Sequence, residues 1–109
     1  MRLIKAIVRP SKVDDVRDAV GKLGVLGVTV TDVRGHGKQK GHTTIYRGQE
    51  YQVSLLPKME IEIVVPDEIA GDVVKAVTGA ARTGEIGDGR VFVMPVERSY
   101  RIRTGERED

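Results

Sequence analysis

The chain has no cysteine among its 109 residues. That removes disulfides, thiolate zinc, iron–sulfur clusters and thiol catalysis together, and it fits a reducing compartment. There is no asparagine, so catalytic schemes that need its amide are excluded. No apolar run approaches the roughly 20 residues of a membrane span, and Met1-Arg2-Leu3 leads straight into a strand pattern rather than a signal peptide. The expectation is a soluble, cytoplasmic protein. Charge of one sign is also lacking: 18 Lys+Arg against 16 Asp+Glu leave a net charge of +2, a mixed surface rather than a polybasic one, and composition gives no argument for nucleic acid. The length suits a single domain over 1–109 that buries its own core.

What is present reads as two similar halves around one long loop. Leu3-Ile4-Lys5-Ala6-Ile7-Val8 is apolar and partly β-branched and stops before Pro10, which predicts a buried strand at about 2–9. Ser11 is expected to cap a helix with Asp14 and Asp15 in its first turn, where carboxylates favour the helix dipole. Val13, Val16, Val20 and Leu23 give it one apolar stripe, ended by Gly24. Val28 to Val33 alternates as a second strand. The order then repeats: Ile61 to Val65 forms a strand, Pro66 ends it, Asp67 and Glu68 open a helix carrying Ile69, Val73 and Val77, and Val91 to Met94 closes the set. The fold class is α+β, a ferredoxin-like βαββαβ sandwich with a four-stranded antiparallel sheet in the order 4-1-3-2 and both helices on one face. One helical layer cannot cover both faces of strands this apolar. Self-association through the helix-free face is therefore expected, with a partly wet sheet as the plain alternative.

The connection between the second and third strands, about 36–56, is far longer than the two to five residues typical of hairpins, and loops of that length are usually functional. Topology places the end of strand 2 and the starts of strands 3 and 4 at one end of the sheet. That end gathers Gly37 to Lys40, Lys58 and the turn Thr83-Gly84-Glu85-Ile86-Gly87-Asp88-Gly89-Arg90. A glycine-rich turn can present backbone N–H groups as an anion nest, and Arg90 can complete it. Strands 2 and 4 lie about 14 Å apart, at about 4.8 Å per strand step, so a neighbouring subunit is expected to close the cleft. Arg101 and Arg103, at i and i+2 of a tail read as extended, offer two more guanidinium groups for a polyphosphate.

Four stretches, GHGKQKGHTTIYRGQEY at 35–51, LLPK at 55–58, TGEIGDGRVFV at 83–93 and RIRTGE at 101–106, make the whole chain closely resemble the PII signal-transduction proteins of nitrogen regulation. The resemblance implies a homotrimer whose intersubunit clefts bind ATP or ADP, and bind 2-oxoglutarate together with Mg²⁺ and ATP. Carried over onto this sequence, Thr29, Gly37, Lys38, Gln39, Val64, Gly87, Asp88, Gly89 and Arg90 line the nucleotide site, with Arg101 and Arg103 reaching the phosphates from the neighbouring chain. Gln39 helps hold Mg²⁺ and 2-oxoglutarate, and Lys58 pairs with the distal carboxylate of that effector. Tyr51 matches a tyrosine that nucleotidyltransferases modify in many relatives. Arg47 matches a loop-tip arginine that can plug an ammonium transporter; nitrogen-regulatory enzymes are the other implied partners. The implied protein is a reader, not a catalyst. The sequence departs from the family pattern at Lys38, usually arginine, and at Gln49, Ser54 and Glu85.

Simpler readings stand beside these. Lys58 could be an edge-strand charge that discourages aggregation, and Tyr46 and Tyr51 could pack on Leu55 and Leu56. His36 and His42, without further ligands nearby, make a poor metal site. Arg107 to Asp109 read as a solvated end. A small phosphate-ester hydrolase lacks a convincing base or nucleophile. An RNA-binding domain of this fold would stack bases on strand aromatics, and strands 1 and 3 have none.

Overall fold

A computed structural model describes residues 1–36, 43–46, 49–52 and 55–108, with 43–46 and 49–52 described by their backbone only. The first half runs β1 (Arg2–Val8), a 3₁₀ turn (Pro10–Lys12), α1 (Val13–Gly21) and β2 (Thr29–Gly35). β3 (Thr43–Tyr46) and β4 (Gln49–Gln52) follow. The second half is β5 (Leu56–Val65), α2 (Asp67–Ala81) and β6 (Gly89–Pro95). The main sheet is antiparallel in the order β2-β5-β1-β6, which is the expected ferredoxin-like arrangement with β5 and β6 as its third and fourth strands.

The period-2 pattern of the strands decides the layers. Ile4, Ala6 and Val8 of β1 stand opposite or beside Ile61, Ile63 and Val65 of β5, and all six are buried under the helices. α1 contributes Val16 and Val20 to this core, and α2 contributes Ala70, Val73, Val77 and Ala81 at i, i+3, i+7 and i+11. Each fully buried valine or isoleucine adds roughly 1.5–3 kcal/mol over leaving it in water. The helices cover the middle of the sheet and not its rims, so Val30 and Val93, in register with Ile61 and Ile4, remain 37% and 49% exposed.

The other face has no helix. It carries Leu3 and Ile7 of β1, Val33 of β2, Leu56 and Val64 of β5, and Phe92 and Met94 of β6, around an ion pair from Lys5 to Glu60 at 3.5 Å. Val64 and Phe92 are 46% and 43% exposed in the single chain.

Several expectations are corrected. Ser11 caps nothing: Pro10 sets the first φ of a 3₁₀ turn, Lys12 N–H donates to Arg9 O at 2.9 Å, and α1 begins only at Val13 with no side-chain cap. Leu23 leaves the apolar stripe because α1 ends at Gly21, and Gly24, at φ +83°, turns the chain away. β5 starts at Leu56 rather than Ile61. The long connection is not all loop, since β3 and β4 pair antiparallel as a separate ribbon with Thr44 opposite Tyr51. The tail is not extended: Tyr100 bridges Arg107, Gly105 N–H donates to Arg101 O at 2.7 Å, and Arg101 and Arg103 sit on a small hairpin. Arg107 and Glu108 belong to that hairpin instead of trailing in solvent, for Glu108 N–H donates to Ser99 O at 2.8 Å and its carboxylate pairs with Arg101 at 3.1 Å.

Candidate functional site

Register alone brings one set of residues to one end of the sheet. β2 ends at Gly35 opposite Leu56, β1 ends at Val8 opposite Gly89, and Ile7 stands opposite Arg90. The helix-free face at this end holds a cavity of about 530 Å³ lined by Ile7, Gly35, His36, Leu56, Lys58, Phe92 and, from the turn into β6, Glu85 and Gly87 to Arg90. Lys58 is not an edge charge, because β5 is an inner strand.

The 83–90 turn is shaped by one carboxylate. Asp88 accepts from Thr83 N–H at 2.8 Å and Gly84 N–H at 2.9 Å, from the Thr83 hydroxyl, and from Arg9 Nε at 3.1 Å. The Thr83 hydroxyl and N–H, with Gly84 N–H and Arg9, hold the Asp88 carboxyl well below the usual carboxylate range against a smaller opposing effect of burial. The side chain is thereby committed to the turn, and what residue 88 presents to the cavity is its backbone. Gly84, Gly87 and Gly89 take φ of +89°, +101° and +106°, left-handed conformations that glycine adopts without strain.

Gly89 has a second reason to lack a side chain. A Cβ built there would lie 1.7 Å from Ile7 O and 2.8 Å from Ile7 C. The turn can approach β1 this closely only as glycine, and that approach sets Arg90 opposite Ile7 at the cavity.

Cations face the same loop. Lys58 Nζ donates to Gly87 O at 2.6 Å and Arg9 Nη2 donates to Ile86 O at 3.0 Å. Burial, followed by the Arg9 guanidinium, holds the Lys58 ammonium below the usual lysine value, and Asp88 offsets this only in part. An anion entering here would meet an ammonium whose charge is disfavoured where it stands, and pairing would favour it.

The matched family model, described as nitrogen regulatory protein P-II, covers residues 1–106. The chain belongs to the P-II family. It is 55% identical over 109 residues to nitrogen regulatory protein P-II 1 of Escherichia coli K12, 51% identical to nitrogen regulatory protein P-II of Haemophilus influenzae, and 54% identical to the Klebsiella oxytoca protein. In each comparison the whole chain aligns with 97% of the relative. Membership gives the chain a role in nitrogen-regulation signalling, in a family whose members are named as regulators and not as enzymes.

Of the P-II site residues expected from sequence, Lys58, Gly87, Asp88, Gly89 and Arg90 meet around the cavity. Thr29 and Val64 do not. Thr29 is in register with Glu62 and Val64 with Leu3, on the same face but about 13 Å and 20 Å along the strands from Lys58 at about 3.3 Å per residue. Arg101 and Arg103 are absent from the lining as well. The chain leaves β6 at the opposite end of the sheet, where Val96 N–H donates to Met1 O at 3.0 Å. Gly37, Lys38, Gln39 and Arg47 lie outside the described residues, and Tyr51 is described by backbone only. Sequence reasoning missed Arg9 and the apolar lining of Ile7, Leu56 and Phe92, and weighed His36 only as a metal ligand. Arg9 carried a usable signal: strand 1 runs parallel to strand 2, so its end must reach the same end of the sheet.

Among the described residues no helix is long and apolar enough to cross a membrane.

Proposed function

We propose that this P-II protein is a homotrimeric sensor of ATP, ADP and 2-oxoglutarate that acts on nitrogen-assimilation enzymes or an ammonium transporter through its 36–56 segment. The observation that supports the reading is a cavity, lined by Lys58, Arg90 and the glycine-rich turn, that gathers only part of the expected ligand residues within one chain. Gly87 to Arg90 and Lys58 converge on it, while Arg101, Arg103, Thr29 and Val64 stand elsewhere on the same molecule. Neighbours packed through the helix-free face would supply what one chain holds apart, with the tail arginines of one protomer answering the glycine turn of the next. Several donors on a polyphosphate are needed to hold it, and an intersubunit cleft assembles them.

Mg²⁺ would rest on the nucleotide phosphates and on Gln39. When bound, Mg²⁺ offers a chelation point for the keto and carboxylate oxygens of 2-oxoglutarate. Lys58, at the start of β5, would take the distal carboxylate, giving up its contact with Gly87 O. The base of the 36–56 segment joins β2 and β5 beside that cleft, so ligand binding is linked to the segment's preferred conformations. Tyr51 would be the acceptor for a nucleotidyltransferase, and a bulky anionic group there would oppose tight docking of the Arg47 tip. The protein would work in the cytoplasm.

The test is titration calorimetry with ATP, ADP and 2-oxoglutarate, each with and without Mg²⁺, on protein sized by sedimentation. Both nucleotides should bind a trimer, and 2-oxoglutarate should give heat only with Mg²⁺ and ATP. A monomer that exchanges no heat with either nucleotide ends the reading.

A further inference from the structure

Arg9 is the first residue beyond β1, and no part of the proposed ligand set includes it. Its guanidinium spans two acceptors on the 83–90 turn, with Nε on Asp88 Oδ1 at 3.1 Å and Nη2 on Ile86 O at 3.0 Å. Both Arg9 and Asp88 are largely covered, at 23% side-chain exposure each, which makes this pair worth more than a solvated surface bridge. Asp88 answers the charge of Arg9, and Nε and Nη2 are both engaged by the turn. Asp88 in turn collects Thr83 and Gly84. Arg9 thus ties both ends of the turn's bend, residues 86 and 88, to the end of the central strand.

We infer that Arg9 is a positioning residue for the anion cleft, holding the 83–90 turn in the shape that presents Gly87 to Arg90. Two features favour this over a role in fold stability alone. The planar fork of arginine holds its N–H groups in a fixed geometry that meets two divergent acceptors at once, whereas an ammonium on a flexible stem has no such preset geometry. The residue between those acceptors, Gly87, is held by Lys58, so three consecutive positions of the turn are fixed by two cations from neighbouring strands. If Lys58 leaves Gly87 for a ligand, Arg9 is what still holds the turn to the sheet.

The inference rests on the nucleotide reading for its ligand, and two readouts keep the two separable. The first needs no ligand: amide exchange and resonance positions of Gly84, Gly87 and Gly89 in the free protein. The second is ADP calorimetry. Arg9→Gln should shift all three glycine amides and speed their exchange, and weaken ADP by about tenfold or more, the range for losing hydrogen bonds to charged partners. Arg9→Lys, which keeps the charge but loses the rigid planar fork, should recover only part of the affinity. Asp88→Asn should resemble Arg9→Gln, and the double variant should lose little beyond the worse single one, because the pair acts as a unit. Unchanged glycine amides in Arg9→Gln, full recovery with Arg9→Lys, or additive losses in the double variant would each overturn the assignment. Wild-type protein that binds no ADP would remove the nucleotide reading, and the amide data would still decide whether Arg9 shapes the turn.

Discussion

Gly89→Ala separates two reasons for a glycine that sequence cannot tell apart. At φ +106° any other residue is strained, at about 1–3 kcal/mol. The added methyl would also lie 1.7 Å from Ile7 O, where a carbon normally approaches a carbonyl oxygen no closer than about 3.3 Å. Relief of about 1.6 Å must come from backbone on both sides, since the obstructing atoms are main chain and cannot rotate away. The least disruptive response is to open the Val8–Gly89 end of the β1–β6 ladder, which forfeits terminal hydrogen bonds at about 1 kcal/mol each. Together the loss should reach about 3 kcal/mol or more, which lowers Tm by roughly 12 °C or more for a domain of this size.

The control is Gly84→Ala. Its φ of +89° is similarly strained, but a Cβ there meets nothing within 4 Å. Its cost should stay near the bottom of the range, about 1 kcal/mol, or roughly 4–8 °C. Both variants should be melted by circular dichroism at one protein concentration, because association shifts Tm by mass action. Opening that ladder end also carries Arg90 away from Ile7, so Gly89→Ala should weaken ADP by about tenfold or more while Gly84→Ala loses less. Coincident melts would refute the argument from close approach and leave conformational strain as the whole effect.

On the proposed reading, Lys58→Ala should abolish the 2-oxoglutarate heat in Mg²⁺ and ATP while keeping ADP affinity within about threefold, since the ammonium meets the carboxylate effector rather than the diphosphate. Unchanged 2-oxoglutarate binding would remove Lys58 from that role. Leu3→Asp places a carboxylate on the helix-free face, and sedimentation should show association weakened by more than about hundredfold because burying an unpaired charge is costly. An intact trimer would mean that this face is not the interface. Asp88, whose carboxyl is held low in the folded chain, contributes stability that is present above the ordinary carboxylate value near about 3.9 and is lost as pH falls below it. Urea midpoints at about pH 3 and about pH 7 should therefore diverge less in Asp88→Asn than in the wild type. Equal divergence would show that Asp88 is not linked to acid unfolding.

The layers were legible because they depend on periodicity. Ile61, Ile63 and Val65 alternate with Glu62 and Val64, and the alternation survives as core against open face. Boundaries were harder. Proline cannot donate to a ladder, yet β5 tolerates Pro57 because its partner, Arg34, is at the sheet end, where a missing donor matters least. The tail misled for a similar reason: alternating Arg101 and Arg103 look extended, yet the hydrogen bond from Gly105 N–H to Arg101 O folds them into a turn. The meeting of Lys58 with the 83–90 turn followed from strand direction alone. Arg9 did not emerge, because a lone cation ending a strand reads as a solvent-facing cap until the turn that receives it is built.

On the proposed reading, assembly and sensing are one property. Within a single chain the cleft lies at the end of the sheet where β1 and β2 finish, and the tail hairpin begins beyond the end where β6 finishes. No rearrangement confined to one protomer brings Thr29 and Val64, anchored in the sheet, to Lys58 without breaking the ladder that fixes their register. The proposed ligand set would then be completed, with the sheet intact, by residues of a neighbouring subunit. A change that separates protomers, as Leu3→Asp is designed to do, should also abolish nucleotide binding, even though every residue of the proposed ligand set is unaltered. Retained ADP affinity in a proven monomer would mean that Gly87 to Arg90 and Lys58 form a sufficient site on their own.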